Sequence, residues 1–458
     1  MRTMTEPGIP TPNSGGQPGA TVAVVDDLFD TVRATAYSFM LLALGVAVTI
    51  AEGADIAALS AAAPLVTKEF GLSSSALGGI FAFGVIGSIA ASFLLSPLAD
   101  RIGRKPAVLI GLSTALFGTL MATVAPNTFW FLASRLIGGL GIGLITSSIY
   151  ALIAEVLPLR MRAMGTMITG CGFLLGGGVS SLLVSGIIDD YGYRAPFFVA
   201  AGLEILVITA CLALLVESPF MMVRKGVPAD RVARLLRRLG AKVGDEVTVF
   251  TTRDQRKATQ NRVRALLVRE HRAATLIFWL ATFCTLGIGY MSANWLPALL
   301  VGAGADMATA LRFYSMASFA SAIVTIAVAW LTTKVNPAKV LITAYACLTL
   351  AAISISFLTG ISYGFYTIML AHFVIGGLSQ FCLMGVVNRY YSSEIRATAV
   401  GYAMGAGRLG AIVGPLAGGA LVSAGFSING VYGLTAIPAG LAGLALIYLF
   451  LPGGRRVG

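Results

Sequence analysis

At 458 residues, with 57% hydrophobic and only 11% charged side chains, the chain is too apolar for a soluble globular protein, where about a quarter of residues are charged. A net charge of +12 would suit a nucleic-acid binder only if the basic residues formed one surface, and they are spread between apolar runs instead. Cys171, Cys211, Cys284, Cys347 and Cys382 all lie inside such runs without pairing or metal spacing; they read as small packing residues, and no metal or cofactor is expected.

Residues 1–33 are rich in Pro, Gly and Thr, lack an apolar core and read as a disordered tail without a cleavable signal. About twelve membrane-length runs follow, at 37–66, 76–97, 107–125, 129–156, 163–187, 196–216, 274–300, 309–332, 338–359, 363–391, 397–424 and 428–451. The spacing predicts an all-α membrane protein of two six-helix bundles, 34–216 and 273–452, joined by a basic loop at 217–272 and closed by a tail at 453–458. Basic residues crowd alternate connections (Arg101, Arg104 and Lys105; Arg160 and Arg162; the central loop; Lys334 and Lys339; Arg455 and Arg456). The positive-inside rule therefore puts both termini and the central loop in the cytoplasm, in an inner or cell membrane, and accounts for the basic excess without nucleic acid. Within the central loop, Val232, Leu235, Leu236 and Leu239 alternate with Arg231, Arg234, Arg237 and Arg238, an amphipathic helix suited to lie on the lipid surface.

The first run carries Glu52 and Asp55 near its middle. A spacing of three puts them on one helical face. An ionised carboxylate at that depth costs at least about 3 kcal/mol, so two on one face point to a polar pathway rather than to lipid. Arg135, Glu204, His372 and Arg408 are the other ionisable residues at membrane depth and should face the bundle interior for the same reason. His372, Gly376 and Gln380 share one face of the tenth run, and Tyr290, Asn294 and Trp295 offer two aromatic rings and an amide from the seventh. For His372 an interhelical hydrogen bond, and for Trp295 an interfacial anchor, explain the residue as well as a ligand contact does. Gly165, Gly170, Gly172 and 176–178, then Gly401, Gly405, Gly410, Gly414 and Gly418, read mainly as close-packing positions.

The stretch from Ser96 through Pro97, Asp100, Arg101, Gly103 and Arg104 to Lys105 resembles the signature between the second and third helices of the major facilitator superfamily, with Ser96 where a glycine is usual. The counterpart around Thr332, Thr333 and Lys334 lacks the acid. Arg135 with Gly138, Gly139 and Gly141 resembles that superfamily's fourth-helix motif, and Glu155 with Pro158 and Arg162, like Glu217 with Pro219, its sugar-porter-like loop motifs. Glu52-Gly53-Ala54-Asp55 is similar to the first-helix signature of the aromatic acid:proton symporters, with Glu52 in place of an aspartate. Trp295 and Pro297, the run from Arg396 to Gly401, and Gly407-Arg408 leading to Gly414-Pro415 fit the same group. The resemblance implies a monomeric transporter that imports a small organic anion, such as a hydroxybenzoate, with protons. Glu52, Asp55 and Arg135 would couple the proton. Arg408 or Arg135 would meet the carboxylate, with His372, Gln380, Tyr290, Asn294 and Trp295 around it. Asp100, Arg101, Gly103, Arg104, Glu155, Arg162 and Arg396 would form a cytoplasmic gate. A drug-antiporter glycine–proline pattern falls in the eleventh run rather than the fifth, which favours uptake over efflux. Transport of a non-aromatic carboxylate or a sugar is the alternative. A membrane enzyme lacks a nucleophile–base grouping, and a chemoreceptor would need a signalling domain.

Overall fold

The computed structural model describes residues 21–30, 32, 34–244, 247–252, 265–331 and 334–450. Among them, twelve helical segments are long and apolar enough to cross a membrane. The first six are α1 (Ala36–Phe70), α2 (Ser74–Leu94), α3 (Arg104–Thr123), α4 (Thr128–Val156), α5 (Leu159–Val184) and α6 (Ile188–Leu214). The second six are α7 (Arg272–Gly302), α8 (Met307–Val328), α9 (Pro337–Ser356), α10 (Tyr363–Tyr390), α11 (Thr398–Ser423) and α12 (Ile428–Phe450). All twelve predicted spans are present. Helices satisfy their own backbone in hydrocarbon, but their ends do not, and short polar side chains cap them. Thr35 and Ser38 form a reciprocal capping box at α1, while Ser73, Asn127, Asn336 and Ser362 accept from the first-turn amides of α2, α4, α9 and α10.

The packing repeats. Helix α1 lies against α5 and α6, α3 against α4 and α6, and α2 against α4. Six helices later the same pairs recur: α7 against α11 and α12, α9 against α10 and α12, and α8 against α10. The halves meet where α2 crosses α11, where their counterparts α8 and α5 cross, and along α1 and α7. Even single bonds are duplicated: Arg162 Nε donates to Leu157 O at 3.2 Å, and Arg396 Nε to Tyr391 O at 3.3 Å.

Small residues set the tightest crossings. A Cβ on Gly53 would lie 2.0 Å from the carbonyl oxygen of Phe173 on α5, and one on Gly414 would lie 2.1 Å from Gly287 O on α7, the matching pair. Gly401 and Gly405, also expected to be packing positions, face open space instead. Gly53→Ala should therefore cost about 1–3 kcal/mol by forcing α1 and α5 apart. Thermal unfolding in detergent checks this, with Gly401→Ala as the substitution that should change nothing.

One apolar cluster spans both halves, joining Ala57, Phe81 and Phe131 to Trp295, Tyr314 and Phe365. It lies away from the basic connections. Ser60 Oγ donates to Asn294 O at 2.9 Å there, Ser315 Oγ to Gly178 O at 2.8 Å, and Ser75 N to Ser423 Oγ at 3.0 Å. Toward the basic side each half has its own cluster, one around Val48, Ile149 and Leu236, the other around Phe278, Tyr345 and Leu383. The molecule is thus sealed on one side and divided on the other.

On the basic side two expectations change. Thr21–Val24, expected in a disordered tail, pairs in parallel with Val247–Thr251 of the central segment, and Val25–Asp30 is helical with Phe29 buried and stacked on Phe220. The amphipathic helix Ala229–Arg238 does not rest its apolar face on lipid. Val232, Leu235 and Leu236 are buried with Val25, Phe29 and Val32 against the first half, because that neighbour removes the same area from water without leaving the protein. Residues 1–20, Thr332, Thr333 and the expected tail at 453–458 lie outside the described residues.

Candidate functional site

The two halves enclose a cavity of about 40 Å³ where α1, α2, α4 and α7 converge, lined among others by Asp55, Phe81, Ser88, Arg135, Tyr290 and Asn294. Such a volume holds a few waters and is far below the roughly 300 Å³ or more that encloses a drug-sized ligand, so a ring-sized solute needs the halves to part further. A larger recess of about 880 Å³ on the basic side, lined by His271, Lys334, Arg389 and Phe450, belongs to the second half and the end of the central segment.

Asp55 and Arg135 form the cavity's ionic wall. Arg135 Nη1 donates to Asp55 Oδ1 at 3.3 Å, with 3% and 4% of the two residues exposed. Thr119 Oγ1 from α3 donates to the same Oδ1 at 2.8 Å. The guanidinium is held in place from its other edges: Nη2 donates to Gly118 O at 3.3 Å, and the Phe197 ring lies 5.0 Å beneath its carbon. This pair is buried in the bundle interior.

Glu204, left without a role by its sequence surroundings, joins the same group. It is 1% exposed, its Oε1 lies 3.4 Å from Thr119 Oγ1, and its Oε2 has no hydrogen-bond partner. Neither Thr119 nor Glu204 belongs to a recognisable local motif; only the crossing of α3, α4 and α6 over α1 unites them. Glu52 lies one turn nearer the basic side, where Thr146 Oγ1 donates to its Oε1 at 3.1 Å. Arg408 from the second half acts electrostatically on both Glu52 and Tyr290, as does Glu52 on Tyr150. One ion pair, Asp55 with Arg135, therefore lies on the inter-half pathway, and one turn away Glu52 lies within electrostatic reach of Arg408 from the other half.

The remaining candidates divide. Tyr290 and Asn294 line the cavity, and Asn294 Nδ2 donates to Tyr290 O at 2.7 Å. Gln380 lies beside Met404, one turn before Arg408, with Nε2 at 3.5 Å from the sulfur and Oε1 unpartnered. Its neighbour Phe381 reaches Gly170 of the first half beside Tyr150. Trp295 packs between helices: Nε1 donates to Pro415 O at 3.0 Å and Phe81 meets it edge-on, so it wedges α2, α7 and α11 together. His372 is likewise withdrawn. It is buried within the second half, Nε2 bonds Thr435 Oγ1 at 3.0 Å, and Tyr432 packs edge-on against its ring.

Of the gate candidates, Asp100, Arg104 and Glu155 form a network within the first half. Arg104 pairs with Asp100 at 2.7 Å and Glu155 at 3.2 Å. Gly103, at φ 104°, turns the chain from the short helix Ser96–Ile102 into α3, and Arg104 N donates to Glu217 Oε1 at 2.8 Å. Arg101 is exposed, and Arg162 and Arg396 hold the turns described above. Among the described residues no group of His, Cys, Asp and Glu is placed to hold a metal.

The Major Facilitator Superfamily profile matches residues 45–390. A gallate transporter of Pseudomonas putida is 30% identical over 92% of this chain and 94% of its own, and a 4-hydroxybenzoate transporter of the same species is 28% identical over 90% and 92%. The xylose transporter XylE from E. coli, solved in a partially occluded inward-open conformation, superposes with a TM-score of 0.73 at 16% identity, covering 91% of this chain and 98% of that one. That likeness shows the fold, while the relatives show a transporter rather than an enzyme. With a dozen spans, a six-helix repeat and a profile match over most of its length, the chain is a multi-pass membrane protein of the Major Facilitator Superfamily, related to transporters named for aromatic acids.

Proposed function

We propose that the protein is a monomeric, proton-coupled symporter that imports a small aromatic carboxylate by alternating access. The observation that carries this reading is the buried ion pair of Asp55 with Arg135, with Glu52 one turn away within electrostatic reach of the half-buried Arg408, on the path between the halves. Relatives named for gallate and 4-hydroxybenzoate supply the substrate class. A planar guanidinium offers a carboxylate two parallel hydrogen bonds, so an anionic substrate competes with Glu52 for Arg408. A buried carboxylate deprived of its cation takes up a proton rather than remain charged in apolar surroundings. Substrate and proton thus enter together, and the charges on the path between the halves are neutralised as they do. Tyr290 and Asn294 add an aromatic face and an amide beside the pathway.

With the basic side in the cytoplasm, the sealed side faces outward, and the divided side is the one from which cargo leaves. Asp100, Arg104 and Glu155 would act as the cytoplasmic gate when the halves rock together there. Purified protein in liposomes should accumulate radiolabelled gallate or 4-hydroxybenzoate under an imposed inward proton gradient. A protonophore should abolish accumulation while leaving exchange of labelled for unlabelled substrate intact. Accumulation of xylose or a non-aromatic carboxylate in preference to both ring acids would overturn the substrate class, and accumulation indifferent to the protonophore would overturn the coupling.

A further inference from the structure

We propose that Glu204 stores the transported proton between turnovers and passes it to Asp55 through the hydroxyl of Thr119. This rests on the reading that Asp55 binds the coupling proton. The first support is a charge count. Asp55 from α1, Glu204 from α6 and Arg135 from α4 are the charged or titratable groups that face one another in this part of the first half, with Thr119 from α3 between them. Two carboxylates and one guanidinium leave one negative charge uncompensated. Burying such a charge costs several kcal/mol, so the group holds one proton.

The second support is where that proton belongs. Asp55 Oδ1 receives both the guanidinium and the Thr119 hydroxyl, the partners an ionised acid requires. Glu204 has one polar neighbour, Thr119 Oγ1 at 3.4 Å, and a second oxygen with none. An ionised carboxylate in that position would lack the donors that a buried charge demands, whereas a protonated one needs only an acceptor. The threonine oxygen supplies it. In this arrangement Glu204 O–H donates to Thr119 Oγ1, and Thr119 O–H donates to Asp55 Oδ1.

Those two bonds form a relay. When Arg135 leaves Asp55, the Glu204 O–H bond breaks as a new O–H bond forms on Thr119. The hydroxyl's original proton moves to Asp55 Oδ1. The electron pair of the broken bond stays on Glu204 as a carboxylate, the hydroxyl is restored, and one proton has moved from α6 to α1. Arg135 is placed to compensate the new charge, because its guanidinium already stacks on Phe197, two turns before Glu204 on the same helix. Asp55 thereby becomes neutral on the cavity wall without a proton crossing the cavity itself.

Infrared spectroscopy of the purified protein tests the stored proton without any substrate. A protonated-carboxyl stretching band should be present, lost in Glu204→Gln and shifted in Thr119→Val; in Asp55→Asn it should also be lost, because Glu204 then ionises to balance Arg135. In liposomes, Glu204→Gln should keep exchange of labelled 4-hydroxybenzoate but slow proton-driven uptake by about a hundredfold, the range a positioned proton-transfer group supplies. Thr119→Val should do the same by a separate route, and Thr119→Ser should restore uptake, which also covers the case of a poorly folding Glu204→Gln. An unchanged carboxyl band in Glu204→Gln, or normal accumulation in both Glu204→Gln and Thr119→Val, overturns the proposal. Loss of exchange together with accumulation in Thr119→Val also overturns it, since that points to binding or packing. If Asp55→Asn accumulates substrate normally, the reading of Asp55 fails instead, and the infrared result still decides whether Glu204 carries a proton.

Discussion

Replacing Arg135 with alanine should end proton-driven accumulation and lower the stability of the purified protein by about 3–5 kcal/mol, the cost of leaving one partner of a buried ion pair alone. The loss is large because the guanidinium serves several neighbours at once: Asp55 at 3.3 Å, Gly118 O at 3.3 Å and the face of Phe197. Asp55→Asn should be milder for stability. Its amide keeps the hydrogen bond from Thr119, and Glu204 remains to balance the arginine. Coupling should fail in both. The double substitution Asp55→Asn with Arg135→Gln removes both charges, so its unfolding temperature should lie above that of Arg135→Ala while accumulation stays absent. Thermal unfolding in detergent together with uptake in liposomes separates the two effects, and a double mutant no more stable than the single one would show that Arg135 acts by packing rather than by charge.

Arg408→Ala should weaken binding of the ring acid by about 2–5 kcal/mol, at least about thirtyfold in Kd, because a desolvated carboxylate loses its cation. Arg408→Lys should recover only part of that affinity, since an ammonium cannot present the bidentate fork. Glu52→Gln should behave oppositely. It releases Arg408 from its electrostatic partner, so affinity should hold or rise while accumulation against a gradient disappears. Equilibrium binding of labelled 4-hydroxybenzoate to the detergent-solubilised variants, set beside their uptake, distinguishes these outcomes. Equal affinity in Arg408→Ala and the parent protein would remove Arg408 from the substrate's path.

Much of this site was legible from residue type and depth alone. Glu52 and Asp55 share a helical face and are costly in hydrocarbon, so an interior position followed from energetics, and Arg135 and Arg408 followed by the same reasoning. Trp295 and His372 show where that logic runs out. Both are polar-edged residues within apolar runs, but each has a partner on a neighbouring helix away from the cavity, Pro415 O for Trp295 and Thr435 for His372. Nothing within a few residues of either reveals such a partner. Glu204 is the reverse case, an acid with no motif around it that the crossing of four helices turns into a member of the ionic cluster.

The sequence by itself determined the number of spans, their six-plus-six grouping and which charged residues fall within apolar runs, because each follows from apolar run length and from the cost of charge in a bilayer. Tertiary structure alone decided which charges meet. Helix packing brings residues some 80 positions apart, such as Asp55 and Arg135, within 3.3 Å, and tertiary contacts paired the N-terminal strand with Val247–Thr251 and seated the central amphipathic helix against the first half rather than on lipid. The physical reason is that burial energy is local to a side chain, whereas pairing depends on close approach between helices, which is set by small residues such as Gly53 and Gly414 and the carbonyls they admit.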